Sequence, residues 1–300
     1  MENIAIVLVA LALGYILKTT KVLNSDSSVA LNRYVLYVSY PAIVLLQIPR
    51  IEFNAELIIP IVVAWGVMSI SALLILLIAN ILNFSRQITG SLLLVGVLTN
   101  SSFLGIPLLS TYFDGENFMP YLLVYDQLGT FLAFATYGTL IVALYAGTTK
   151  VTIKIFTLKV LTFPPFITLI VALFFIGVEF NPIIIKILEA FAITIVPVAL
   201  VATGIQLELK LPRQDLLPFS IGLFIKLIIA PIIAIVICKI FNWSNLAASV
   251  SILEASMAPM ITAAAMASMA NLAPRLSSAI VGYGVIISLF TTYIVKMVVV

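Results

Sequence analysis

The stretch VLTNSSFLGIPLL (97–109) places Asn100, Ser101 and Ser102, then Gly105 and Pro107, inside an otherwise apolar run. Asn100 carries both a donor and an acceptor and suits a carboxylate or amide-like ligand. Pro107 has no N–H, so the carbonyl of Phe103 loses its helical partner, and Gly105 loosens the same turn. The chain is expected to break and restart as a new helix near Ile106–Pro107. A second such stretch, SILEASMAPMITAAAMAS (251–268), holds Pro259, which orphans the carbonyl of Ala255, with Glu254, Ser256 and Thr262 around it. Broken helices offer free N–H groups and a positive dipole to an anion at one half-end, and carbonyls to a cation at the other. Asn100, Ser101, Gly105, Pro107, Ser256 and Pro259 are therefore the candidate substrate-binding residues. The plainer alternative is a pair of kinked helices whose Ser and Asn side chains bond neighbouring helices.

Three ionisable residues lie well inside apolar runs: Asp126 in YDQLGTFL, Lys226 in GLFIKLIIAP, and Glu254 just before the second break. A charge at the centre of a bilayer costs about 2.5–3.5 kcal/mol on insertion scales, so each must face protein or water. Asp126 and Glu254 can bind a proton or help ligate Na⁺, and are the ion-coupling candidates. Lys226 is a candidate counter-ion to either carboxylate, or an attractant for an anionic substrate. Its long stem also allows it to snorkel.

The elements that hold these residues are set by composition. The 300 residues are 63% hydrophobic and 9% charged, with a mean hydropathy of +1.26. A soluble domain carries roughly a quarter charged residues. The chain therefore reads as an all-α integral membrane protein. There is no His, which excludes a His metal site, a His proton relay and a Ser-His-Asp triad. The lone Cys238 can form no internal disulfide. No nucleophile–base pair, metal cluster or cofactor motif is found, so no enzymatic activity and no cofactor are expected. Basic residues are scattered singly, which argues against nucleic acid as a partner and leaves the lipid bilayer.

Ten apolar runs are long enough to be read as spans: Ile4–Leu17, Val29–Ile48, Leu57–Leu82, Ile88–Phe113, Phe118–Ala146, Val160–Val178, Ile183–Ile205, Leu216–Phe241, Leu246–Met269 and Leu276–Val300. The linkers are short, so 1–300 is a single membrane domain. With the N-terminus outside, Lys18, Lys21, Arg33, Arg86, Lys150, Lys154, Lys159, Lys210, Arg213 and Arg275 face the cytoplasm, against Arg50, Lys186, Lys239 and Lys296 outside. The positive-inside bias favours both termini outside a cell membrane.

The halves also look alike. LNRYVLYVSYPAIVLLQI (31–48) aligns with ILEAFAITIVPVALVATGI (187–205) through Pro41 and Pro197. Pro60 pairs with Pro218, and Pro107 with Pro259. Residues 1–150 and 151–300 thus read as one five-span unit used twice. Five is odd, so the second copy enters from the opposite side, which makes an inverted repeat with broken fourth and ninth spans that cross. GYG (282–284) resembles a fragment of a potassium filter but lacks the preceding Thr-Val, and that reading is rejected.

These residues resemble the auxin efflux carrier family, in particular the prokaryotic relatives of the plant PIN carriers. The likeness runs through Asn32, Pro41 and Ala42, then Asn100, Gly105 and Pro107, then Asp126, then Pro197, Leu200 and Gly204. Glu254, Ala258 and Pro259 stand where the family usually has Gln and a Pro pair, and Gly284 stands where Thr is common. The resemblance implies the crossover fold of bile-acid sodium symporters, with a scaffold from spans 1, 2, 6 and 7, often dimeric. It also implies a moving transport domain from spans 3–5 and 8–10. Small organic anions, carried by alternating access, are the implied substrates, with H⁺, Na⁺ or no coupling ion. The alternatives are a sodium-coupled symporter of the bile-acid type and, from another class, an anion channel.

Overall fold

The computed structural model describes residues 2–24, 26–50, 54–113, 115, 117–146, 164–207 and 215–300. Lys150, Lys154, Lys159, Lys210 and Arg213, used above for orientation, lie outside the described residues, as do 160–163 of the sixth run. In chain order the helices are α1 (Glu2–Thr19), α2 (Ser27–Arg50), α3 (Ala55–Ile81), α4 (Arg86–Val95), α5 (Ile106–Tyr112), α6 (Met119–Ala146), α7 (Pro164–Leu173), α8 (Pro182–Gln206), α9 (Leu216–Ile240), α10 (Leu246–Ala255), α11 (Ile261–Met269) and α12 (Pro274–Val299). Among the described residues no strand forms beyond one isolated bridge.

Six of these helices, α2, α3, α6, α8, α9 and α12, are long and apolar enough to cross a membrane. The expected fourth and ninth spans fall outside that group because each is split in two, α4 from α5 and α10 from α11.

Local sequence explains how the helices begin and end. Asn83, Asn242 and Asn271 follow α3, α9 and α11 in the left-handed conformation, with φ of 52, 55 and 54°. Asn tolerates this geometry, and each closes a Schellman motif. Phe84 N donates to Ala79 O at 2.9 Å, Trp243 N to Cys238 O at 2.8 Å, and Leu272 N to Ala267 O at 2.8 Å. Ser85 then caps α4 by accepting from Ile88 N, and Asn245 caps α10 by accepting from Ala248 N.

Three prolines inside spans are absorbed by π-helical turns. Val35–Ser39 precedes Pro41, Ser101–Gly105 precedes Pro107, and Ile225–Ile229 precedes Pro231. In each case the residue before the proline donates five residues back: Tyr40 to Val35, Ile106 to Ser101, Ala230 to Ile225. The wider turn moves the carbonyl that a proline ring would otherwise strike.

This geometry corrects one expectation. The fourth span does not break at Ile106–Pro107. It unwinds over residues 96–100 and restarts at Ser101, so Pro107 sits in the first turn of α5. The π turn tolerates the missing N–H, and the break moves upstream to Gly96 and the polar residues.

Helices α1 and α8 meet through Gly14 and Gly204. A Cβ on Gly204 would come 3.0 Å from the Cα of Gly14, and one on Gly14 would come 3.0 Å from the Cα of Gly204. Small residues are what allow such close approach in lipid. Lys18 Nζ closes the same interface by donating to Leu207 O at 2.9 Å, at the C-terminal end of α8. Gly204→Leu should therefore force backbone apart and cost about 3 kcal/mol, read as a drop in the thermal midpoint of the detergent-solubilised protein. An unchanged midpoint would show that the two helices can separate freely.

Candidate functional site

The two breaks meet. Helices α4 and α10 are each 10 residues long, and each is capped and followed by an unwound segment, 96–100 and 256–260. Gly96 and Ser256 end the two helices with the same backbone, φ −82° with ψ −12° and −7°. The unwound segments then pair antiparallel, Thr99 opposite Pro259. Asn100 N donates to Ala258 O at 2.9 Å, and Met260 N donates to Leu98 O at 3.0 Å. The bonds are reciprocal, and the spacing along the chain is the same for Thr99 and Pro259 as for the caps Ser85 and Asn245. The partner of Pro259 is thus Thr99 and not Pro107, which corrects the pairing read from the prolines alone. Prolines mark where a helix can yield, and they do not by themselves fix which residues of the two broken runs meet.

Around this crossing the polar groups divide into satisfied and unsatisfied ones. Asp126, fully buried in the π turn Tyr125–Phe131 of α6, accepts from three hydroxyls: Tyr40 from α2, and Ser101 and Ser102 from the turn leading into α5. The Ser102 bond is 2.7 Å. Tyr40 is itself held edge-on against Phe131, at 5.8 Å and 89°. Lys226, also fully buried, donates from Nζ to Thr99 Oγ1 in one break and to Ala255 O, at 3.1 Å, at the edge of the other. The carbonyl orphaned by Pro259 is thereby capped. The partners of Lys226 are two neutral oxygens rather than either carboxylate.

Glu254 is fully buried, and neither of its carboxyl oxygens has a hydrogen-bond partner. Its carboxyl lies against Gly105, where a Cβ would come 2.5 Å from Oε1 and 2.7 Å from Oε2. Asn100 Nδ2 and Gln127 Nε2 are buried without partners as well. Buried polar groups are nearly always satisfied, so these groups leave hydrogen-bonding capacity open beside the helix breaks.

Other sequence candidates have local roles. Ser256 Oγ donates to Leu253 O at 2.6 Å, and Ser256 O accepts from Thr292 Oγ1 at 3.2 Å. Ser101 Oγ donates its hydrogen bond to Asp126 Oδ1. Gly284, from the rejected GYG motif, packs on the crossing: a Cβ there would come 2.5 Å from Pro259 Cδ.

A cavity of about 20 Å³ lies beside the crossing, lined by Trp65, Leu98, Thr99, Tyr125 and Thr130 among others. That is room for about one water.

The pattern of membrane transport proteins matches residues 1–295. The chain belongs to the membrane transport protein family. The auxin efflux carriers, to which the motifs pointed, sit in that family. Among its relatives is an uncharacterized transporter of Methanothermobacter thermautotrophicus, 28% identical over 96% of this chain and 94% of the relative. Another is an uncharacterized transporter of Methanocaldococcus jannaschii, 26% identical over 86% of this chain and 85% of the relative. The protein is thus a multi-pass membrane transporter, not an enzyme.

In this transport protein, sequence reasoning missed Thr99 and Tyr40. Thr99 adjoins Asn100, and Tyr40 precedes Pro41, so both stood beside residues already singled out. What revealed them was the buried charge each one binds.

Proposed function

We propose that this protein is a secondary carrier that moves a small organic carboxylate across the cell membrane by alternating access, with the passenger held at the crossing. The observation that carries this reading is Asn100: an amide buried at a helix break, its Nδ2 without a partner. The N–H groups of Ile261 and Thr262, at the start of α11, precede its first hydrogen-bonded turn and add a positive dipole.

The reciprocal hydrogen bonds between the breaks support a ten-span inverted repeat, since a two-fold relation pairs equivalent positions in this way. In this reading α1, α2, α7 and α8 form the scaffold, through which two copies associate, and α3–α6 with α9–α12 form the moving body. Polar contacts support the division. Lys18 to Leu207 and Ser39 to Thr194 stay within the scaffold, and Trp65 to Leu128, Lys226 to Ala255 and Thr292 to Ser256 stay within the moving body. Tyr40 to Asp126 joins the two. Both termini face outside.

Charge supports proton coupling. Two carboxyls and one ammonium at the crossing repel an anion unless one acid is protonated. Asp126 is hydrogen-bonded by three hydroxyls and Glu254 by none. Glu254 is therefore the group freer to take and release a proton as the anion binds and leaves.

The test is a thermal-shift screen of purified protein against mono- and dicarboxylic acids across pH. Asn100→Ala removes a hydrogen bond to a charged ligand worth about 1.5–3 kcal/mol. The acid that stabilises the wild type should then bind about tenfold to a hundredfold more weakly, while the unliganded midpoint stays near its original value. Equal binding by the variant would move the passenger away from Asn100.

A further inference from the structure

Lys226 is placed as a cation ligand set would place a cation. Its ammonium is fully buried and bridges the two broken segments, taking the hydroxyl oxygen of Thr99 from one and the carbonyl oxygen of Ala255 from the other. The Ala255 carbonyl ends helix α10, where the dipole is negative, and Pro259 supplies no N–H to satisfy it. Glu254, one residue earlier in the chain, carries a fully buried carboxyl whose oxygens hold no hydrogen bond. A hydroxyl, a main-chain carbonyl and a nearby carboxylate are hard oxygen donors of the kind that bind an alkali cation where discontinuous helices meet.

We propose that the ammonium of Lys226 is the resident monovalent cation of the crossing, standing where a dissolved Na⁺ would otherwise bind, so that the carrier works without Na⁺. The lysine stem delivers the charge from α9, and the three-donor ammonium satisfies oxygens that a helix break exposes. The charge is covalently attached and does not leave with the passenger, so the crossing keeps its geometry through the cycle. Removing the side chain leaves Thr99 Oγ1 and Ala255 O without their donor, beside an uncompensated carboxyl. That arrangement attracts Na⁺.

This inference rests on the reading of the crossing as the transport site, but its test needs no passenger, so failure of one is distinguishable from failure of the other. The thermal midpoint of the full chain in detergent is measured in NaCl, KCl and choline chloride at equal ionic strength. The wild type and Lys226→Arg should show no Na⁺-specific shift. Lys226→Ala and Lys226→Gln should gain a Na⁺-specific rise of about 5 °C when Na⁺ is about a hundredfold above its Kd. A Na⁺-specific rise in the wild type overturns the proposal, because the site would then already take the free ion. Equal midpoints of the neutral variants in all three salts overturn it too. If these variants fold only when purified in NaCl, the proposal stands. If they fold in no salt, it falls, because a resident cation that Na⁺ can replace would be replaced by it.

Discussion

Asp126→Ala is expected to lower the thermal midpoint sharply and to abolish transport. The carboxyl is the shared acceptor for Tyr40, Ser101 and Ser102, and all of these groups are buried. Each buried hydroxyl left without a partner costs about 1–3 kcal/mol, and the total, allowing for rearrangement, is about 4 kcal/mol. The loss also frees the unwound segment from α6, because Ser101 and Ser102 open the turn that restarts the helix. Asp126→Asn should keep most of the stability: its oxygen still serves the serines, and the rotatable Tyr40 hydroxyl can accept from the amide. Thermal unfolding and proteoliposome flux together decide its role. If the Asn variant is stable and its flux no longer responds to a pH gradient, Asp126 carries the coupled proton. If flux and its pH response persist, Asp126 is a structural anchor and coupling belongs to Glu254. A midpoint in the Ala variant equal to the wild type would end the anchor reading.

Gly105→Ala is the second large effect. The added methyl would lie 2.5 Å from Glu254 Oε1 and 2.9 Å from its Cδ. The Glu254 carboxyl is the movable partner in that collision, yet it is fully buried and has little room to go. Overpacking of this kind costs about 2 kcal/mol, and the displaced carboxyl should weaken acid binding by about tenfold or more. Double substitution makes the cause testable. In Gly105→Ala/Glu254→Ala the methyl has space, so the two stability changes should be non-additive by about 1 kcal/mol or more. Response to pH should still be lost, because the proposed proton carrier is gone. Strict additivity would show that the methyl strikes something other than Glu254.

How much of this was legible beforehand varies by residue. Pro259 was readable in full: a missing N–H four residues after Ala255 orphans a carbonyl wherever the segment lies. Pro107 was readable only in part. The missing N–H was certain, but whether the helix breaks or widens depends on neighbours, and a π turn took up the strain while the break went to residues 96–100. The prolines alone did not tell which residues of the two broken runs meet. That follows from the equally spaced caps and the reciprocal bonds, which involve ordinary residues such as Leu98 and Ala258.

The amino-acid sequence by itself determined that this is a helical membrane protein, that the prolines of two apolar runs leave carbonyls without their helical partners, and that Asp126, Lys226 and Glu254 need shelter from lipid. Those conclusions depend on composition, on backbone N–H groups present or missing, and on the cost of burying charge, all of which are local. Only the tertiary structure decided who shelters whom. Thr99 and Lys226 are 127 residues apart in the chain, and Tyr40 and Asp126 are 86 apart. A hydroxyl has no preference for one distant charge over another until packing brings them together. The crossing supplies that packing, and it turns two separate helix breaks into one polar centre.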